Sequence, residues 1–160
     1  MPLPAVLELL HRELVPYSVI PHAPATTSPE TASAAAVSGR DLAKTVMILV
    51  DGKLAMAVRA AADYANFDEL RDQIGARRVD SAHPDQFRDL CPTCEPGTIP
   101  PIGPLWGLDV YVDEALSRNE SLTFKAGSHR DLLRIAWRDF ERLVHPRLLD
   151  FASSQVGWPW

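Results

Sequence analysis

Cys91-Pro92-Thr93-Cys94 is the first group of residues whose types and spacing could do chemistry. A structural zinc takes four ligands, and the one nearby candidate is His83, with no second Cys-x-x-Cys in the chain. A redox pair of the thioredoxin kind follows a strand and opens a helix, whose N-terminus lowers the thiol pKa. Here the pair closes a helical stretch and enters a proline-rich loop. The cysteines therefore read as two small loop-packing residues, with thiol or zinc chemistry as the alternative, and they cannot make a disulfide framework. Ser128-His129 offers a hydroxyl and a base, but sequence neighbours usually diverge in space, and no GxSxG, HExxH or GxxxxGK[ST] accompanies them. On the residues alone, His129 is a surface residue.

Lys44 carries more. It is one of three lysines, with Lys53 and Lys125, and stands at the entry of an apolar run. The plain reading is a solvated strand end; the functional one is an ammonium at a cleft mouth that receives a phosphate or carboxylate. Arg130, Arg134, Arg138 and Arg142 would form an i,i+4 stripe if their region were one helix, and residues 125–147 are net +3. Such a stripe is usually a solvated face, but it could steer an RNA backbone. Gly97-Thr98-Ile99-Pro100-Pro101 combines a glycine that permits positive φ with prolines that stiffen a rim, a turn able to present backbone N–H groups.

These residues need elements to position them. Leu3, Val6, Leu7, Leu10 and Leu14 recur at helical spacing, and Tyr17 to Ile20 reads as a short strand. Ser28 as N-cap, Pro29 and Glu30 open a second helix, with Gly39 as its left-handed cap. Residues 43–50 and 53–60 flank Asp51-Gly52, the strongest short-range hairpin signal. The first of these runs looks like a central strand buried on both faces. Asn66 caps a helix that ends at Gly75, and His83-Pro84-Asp85 starts a third short helix ending near Cys91. A Pro/Gly loop spans 92–107, followed by strands at 108–112 and 121–125. Residues 129–146 fit either a helix throughout or a strand at 132–136 leading into one. Without steady βαβ alternation, the class is α+β, a mixed and partly closed sheet surrounded by helices.

With 160 residues, 46% hydrophobic and 23% charged, the chain fits one globular domain over 1–160 and is neither disordered nor collagen-like. No apolar run approaches the roughly 18 residues that span a bilayer, and the N-terminus lacks a signal-peptide core, so a soluble cytoplasmic protein is expected. A net charge of −5 argues against coating nucleic acid non-specifically, though not against a local basic site for one nucleic-acid end.

The ordered segments VIPH at 19–22 with Thr26, GRDLAKTVMIL at 39–49, CEPGTIPPIG at 94–103, DVYVDEAL at 109–116 and FKAGSHRDLLRIAWRDFERLV at 124–144 span nearly the whole chain. Together they resemble the YbaK/EbsC family of aminoacyl-tRNA deacylases, related to the editing domain of bacterial prolyl-tRNA synthetases. The resemblance implies a mixed sheet or barrel-like core and favours the strand at 132–136. It implies hydrolysis of the ester joining a wrong amino acid to its tRNA, acting in trans, with alanine on tRNA(Pro) the first substrate to test. Lys44 matches the family's lysine, which holds the tRNA 3′ end, and Gly97 matches the glycine of GxxxP, whose backbone places the scissile carbonyl and water. A ribose hydroxyl of the substrate assists the water, so no triad is needed. By motif position, Thr26, Thr45, Pro101, Gly127, Ser128 and His129 surround the amino acid and terminal adenosine. The implied partners are the tRNA acceptor end and a synthetase, with no metal, cofactor or membrane. A binding module of the same fold, without turnover, is the competing expectation.

Overall fold

A computed structural model describes residues 2–23, 25, 27–35 and 37–154. In chain order the elements are α1 (Pro4–Arg12), β1 (Tyr17–Pro21), α2 (Ser28–Ala35), β2 (Ala43–Val50), β3 (Lys53–Ala60), β4 (Tyr64–Ala65), α3 (Phe67–Ile74), β5 (Val79–Ser81), β6 (Val110–Asp113), β7 (Ser121–Phe124), β8 (Asp131–Ala136), α4 (Trp137–Val144), β9 (Arg147–Leu149) and β10 (Ala152–Ser153). Short 3-10 turns occupy Pro84–Gln86, Gly103–Trp106 and Glu114–Arg118. The strands form a five-stranded sheet ordered β5-β2-β3-β6-β9, a three-stranded sheet β1-β8-β7 and the small pair β10-β4. The large sheet is mixed: β3–β6 and β6–β9 are parallel, β2–β3 and β2–β5 antiparallel. The fold is thus α+β as expected, and the described strands make three open sheets rather than one closed barrel.

The Asp51-Gly52 hairpin forms where the sequence places it. Both residues have positive φ (+49° and +82°), the primed geometry whose twist matches that of the strands. Period-two alternation then sends side chains to two cores. Met47, Met56 and Val58 join α1, α4 and the three-stranded sheet on one side; Ile48, Ala55 and Ala57 meet Leu70 of α3 and Phe151 on the other. In α4, Trp137, Phe140 and Val144 form the buried stripe, and full burial of a side chain such as Phe140 is worth about 1.5–3 kcal/mol. Asn66 Oδ1 accepts from the N–H groups of Asp68 and Glu69, and Gly75 closes α3 at φ +80°.

Several expectations need correction. β2 is not central along its length, because β5 pairs only with Ile48–Val50 and leaves its first half as an edge. Ser28 lies inside α2, and Thr27 Oγ1 takes the capping bond from Glu30 N at 3.2 Å. Gly39 is not a left-handed cap; a Cβ there would meet Ala62 Cβ at 3.1 Å, so the residue serves close chain approach. After Pro84–Gln86 the third helix does not continue. Residues 131–136 are a strand, so the arginine stripe breaks up: Arg134 lies on β8 and Arg138 and Arg142 on α4. Cys91 and Cys94 form a disulfide rather than two free packing residues.

Candidate functional site

The open half of β2 is where distant segments converge. A bridge between Leu42 and Thr123 sets the start of β2 beside β7, and Lys125 follows β7 directly, so two of the chain's three lysines arrive at one place. Two turns are strapped together there: Glu95 N donates to Gly127 O at 3.1 Å and Gly127 N to Thr98 O at 2.9 Å. Thr98 folds back on its own turn, its Oγ1 donating to Glu95 O at 2.6 Å, and Gly97 adopts φ +80° at the tip.

Lys44 Nζ donates to Gly97 O at 3.3 Å. Lys125 Nζ donates to Ala25 O at 3.1 Å and to His129 Nδ1 at 2.8 Å. The ammonium can only donate, so His129 Nδ1 accepts and the ring proton sits on Nε2, which donates to Pro96 O at 2.7 Å. His129 N donates to Glu95 Oε2 at 2.9 Å. Ser128 Oγ instead accepts from Arg130 N at 3.0 Å, so serine and histidine do diverge and form no nucleophile–base pair.

Burial, and second the charge of Arg59, pushes the Lys44 pKa below its ordinary value. Burial lowers Lys125 to about 8, aided by the Lys44 charge and opposed by Glu95 and Glu30. Two partly desolvated ammonium groups with incomplete carboxylate compensation make a site for an anion or a developing oxyanion. Between them, a recess of about 10 Å³ lined by Thr45, Gly97 and Ile99 has room for one water-sized group. Beyond it lies a cleft of about 240 Å³, bordered by Lys44, Thr45, Met47, Ala82, Phe87 and Ile99.

Of the residues singled out from sequence, Lys44, Thr45, Gly97, Gly127 and His129 gather here, and Ser128 braces the turn. Pro101 is buried and lines neither space. Thr26 lies outside the described residues. Sequence reasoning missed Lys125 and Glu95 as site residues, although the scarcity of lysine and the FKAG segment both pointed toward Lys125. Among the described residues no group of three or more His, Cys, Asp or Glu could hold a metal ion.

Gly127 supports a direct prediction. Its φ is +110°, and a Cβ would lie 2.8 Å from Leu3 Cγ, while Leu3 N already donates to Ala126 O at 2.7 Å. Gly127→Ala should lose about 2 kcal/mol of stability, lowering Tm by about 4–8 °C in thermal denaturation. An unchanged Tm would contradict this role for the glycine.

Three comparisons bear on what such a site is for. Residues 22–143 match the family model of the aminoacyl-tRNA editing domain. No curated protein matches the sequence. Among solved structures, the hypothetical protein APE2540 superposes with a TM-score of 0.81 at 19% identity, covering 92% of this chain and 99% of that one. A candidate trans-editing enzyme for prolyl-tRNA synthetase gives 0.77 at 18% identity, covering 92% and 94%. A candidate signal transduction protein from Marinobacter aquaeolei VT8 gives 0.72 at 19%, covering 94% of this chain but 31% of that one. These structural likenesses concern the fold. The family match takes in Lys44, the Gly97 turn and the Lys125–His129 segment together, and on it the chain belongs to the aminoacyl-tRNA editing domain family, whose chemistry is deacylation of aminoacyl-tRNA.

Proposed function

We propose that this chain is a single editing domain that acts in trans in the cytoplasm, hydrolysing the ester of a tRNA charged with a wrong, small amino acid. Alanine on tRNA(Pro) is the first candidate. The observation that carries the reading is the convergence of Lys44, Gly97, Lys125 and His129 on one cleft within the segment matched by the editing-domain family. Its likeness to a candidate trans-editing enzyme for prolyl-tRNA synthetase over most of both chains supports the choice of tRNA.

In this reading Lys44 holds the ribose–phosphate of the tRNA 3′ end. The Gly97 N–H, which makes no hydrogen bond among the described residues, donates to the ester carbonyl. A water in the recess beside Lys44 and Lys125 attacks the carbonyl carbon, oriented by the neighbouring ribose hydroxyl. The acyl C–O bond breaks, the proton passes to the departing ribose oxygen, and amino acid and tRNA separate. His129, neutral and held at both ring nitrogens, positions the Pro96–Gly97 turn. The cleft beside Thr45 takes the amino-acid side chain, with Gly127 and Ser128 bordering the adenosine; Thr26 is assigned to the same surroundings by motif position alone. Pro101 stiffens the turn from behind. Since one methylene is worth only about 1–3 kcal/mol of discrimination, a synthetase charges small competitors in error, and a second compartment that rejects the cognate residue restores fidelity. A synthetase that releases mischarged tRNA is the expected docking partner. No described helix is long and apolar enough to cross a membrane.

The test is hydrolysis of Ala-tRNA(Pro) against Pro-tRNA(Pro), each with a normal or a 2′-deoxy terminal adenosine. Hydrolysis of the alanyl ester alone, lost with the deoxy substrate, is expected; equal rates on both amino acids would overturn the sieve, and equal rates on both riboses the hydroxyl's role. The Cys91–Cys94 disulfide takes no part in this route. Replacing Cys91 and Cys94 together by serine should leave the rate unchanged, and its loss in a variant that melts like the parent would return the reaction to cysteine chemistry.

A further inference from the structure

The cationic surface does not end at Lys44. In the β2–β3 hairpin Lys44 lies directly opposite Arg59, so both side chains leave the same face of the sheet. Like charges at such positions repel, and a fold keeps them cheaply only where an anion or solvent intervenes. Among the described residues the Arg59 guanidinium makes one hydrogen bond, Nη1 donating to Ala60 O at 3.1 Å. The neighbouring carboxylate, Asp63, is buried and ion-paired with Arg40; its charge also acts on Arg59, but it accepts no hydrogen bond from that guanidinium among the described residues. Most of the guanidinium's donors therefore remain for a ligand.

Just past the end of β3 stands Tyr64, 54% exposed although large and aromatic. The β4 strand that carries it lies against β3, the strand that carries Arg59. The backbone beneath it is held firmly. Tyr64 pairs with Ser153 in the β4–β10 ladder, and Asn66 N donates to Phe151 O at 2.7 Å. Asp113, itself buried, accepts from Phe151 N and Ala152 N at 3.0 and 2.9 Å, anchoring the same segment to β6. An exposed ring on a fixed backbone beside an under-used guanidinium is the arrangement with which proteins hold an unpaired nucleotide, base on the ring and phosphate on the arginine.

We infer that Tyr64 and Arg59 form a second nucleotide subsite, which stacks and grips the unpaired nucleotide preceding the terminal adenosine of the RNA. The inference rests on the editing reading for the direction of the strand: the ester end lies at Lys44 and the chain runs outward over Arg59 to Tyr64. It also accounts for how an acidic protein binds RNA, through a short track that follows single-stranded nucleotides rather than a broad basic face.

The test uses the full chain, a 5′-labelled RNA oligonucleotide ending in CCA, and adenosine monophosphate as the short probe. In fluorescence anisotropy, Tyr64→Ala should weaken oligonucleotide binding about tenfold, while Tyr64→Phe, which keeps the ring, stays within about twofold. Arg59→Gln should also weaken it and lower the dependence on salt concentration by about one phosphate contact. Competition by adenosine monophosphate should be the same in Tyr64→Ala and parent. Unchanged oligonucleotide binding by Tyr64→Ala overturns the subsite, as does absence of binding by the parent. Ester hydrolysis is scored separately. A parent that binds the oligonucleotide through Tyr64 but hydrolyses no mischarged tRNA sinks the proposed reaction and leaves the subsite standing. A parent that hydrolyses and does not need Tyr64 does the reverse.

Discussion

Lys44→Ala protein should fold like the parent and lose deacylation by about 10²–10³-fold in kcat/KM, the scale on which removing one partner of a desolvated, hydrogen-bonded charge pair acts. Fold and function separate here because of where the ammonium stands. Its one side-chain hydrogen bond among the described residues, to Gly97 O, is long at 3.3 Å, whereas the Gly97 turn is tied separately through Glu95, Thr98 and Gly127. The charge is held against burial and against Arg59, so it works against the folded state and its removal should leave Tm unchanged or slightly higher. Circular dichroism and a thermal melt beside the rate assay check both halves. A large fall in Tm would make Lys44 a structural residue, and full activity would remove it from the site.

Lys125 should show itself in the pH profile. Its pKa falls from 10.5 to about 8, through burial first and the Lys44 charge second, with Glu95 and Glu30 opposing. Below pH 8 folded and unfolded chains both carry the proton, and the buried charge is a constant handicap to folding. Between pH 8 and 10.5 the folded chain has released a proton that the unfolded chain still binds, so this group's contribution to stability rises with pH across that window. Activity should move the other way. Once Lys125 is neutral, the cation beside the recess is gone and its hold on His129 Nδ1 and Ala25 O weakens. After subtraction of hydroxide-driven hydrolysis, the enzymatic rate should therefore fall above about pH 8. Lys125→Met should lose about 10–100-fold at pH 7, the range for a hydrogen bond to a charged group, and lose the alkaline fall with it. An alkaline fall that persists in Lys125→Met would assign the titration to another group.

What could be read in advance was what local chemistry dictates. Asp51-Gly52 specifies a primed turn without help from the rest of the chain, and Asn66 with Gly75 brackets α3 by satisfying its own terminal groups. The strand at 131–136 was ambiguous by periodicity, because Leu132, Leu133 and Ile135 are buried from two sides and carry no alternation. It was the likeness to a family that favoured the strand. β4, β5, β9 and β10 run two or three residues each and exist only because a distant partner strand is present, so no local signal marks them. The edge exposure of β2 likewise depends on how short β5 is.

The same division holds for the site. Lys44 and Gly97 were legible as motif residues, but Lys125 became a site residue only through the Leu42–Thr123 bridge that sets β7 beside the start of β2. From its sequence neighbours His129 reads as a surface residue, whereas the fold holds its ring between Lys125 and Pro96 O. The cysteine pair read as packing, because nothing in four consecutive residues reveals that the turn brings the two sulfurs together with Cα atoms 5.4 Å apart.

The most direct test of the central claim is deacylation of tRNAs charged with Ala, Cys, Ser, Thr and Pro, each followed with parent protein, with Lys44→Ala and with buffer alone. Catalytic amounts of the parent should release one or two of the wrong amino acids well above the buffer rate and spare proline on tRNA(Pro), with the Lys44→Ala trace lying on the buffer line. If folded parent accelerates none of the five, while still binding the CCA-ended oligonucleotide, the cleft at Lys44 binds RNA without hydrolysing it and the editing account is wrong.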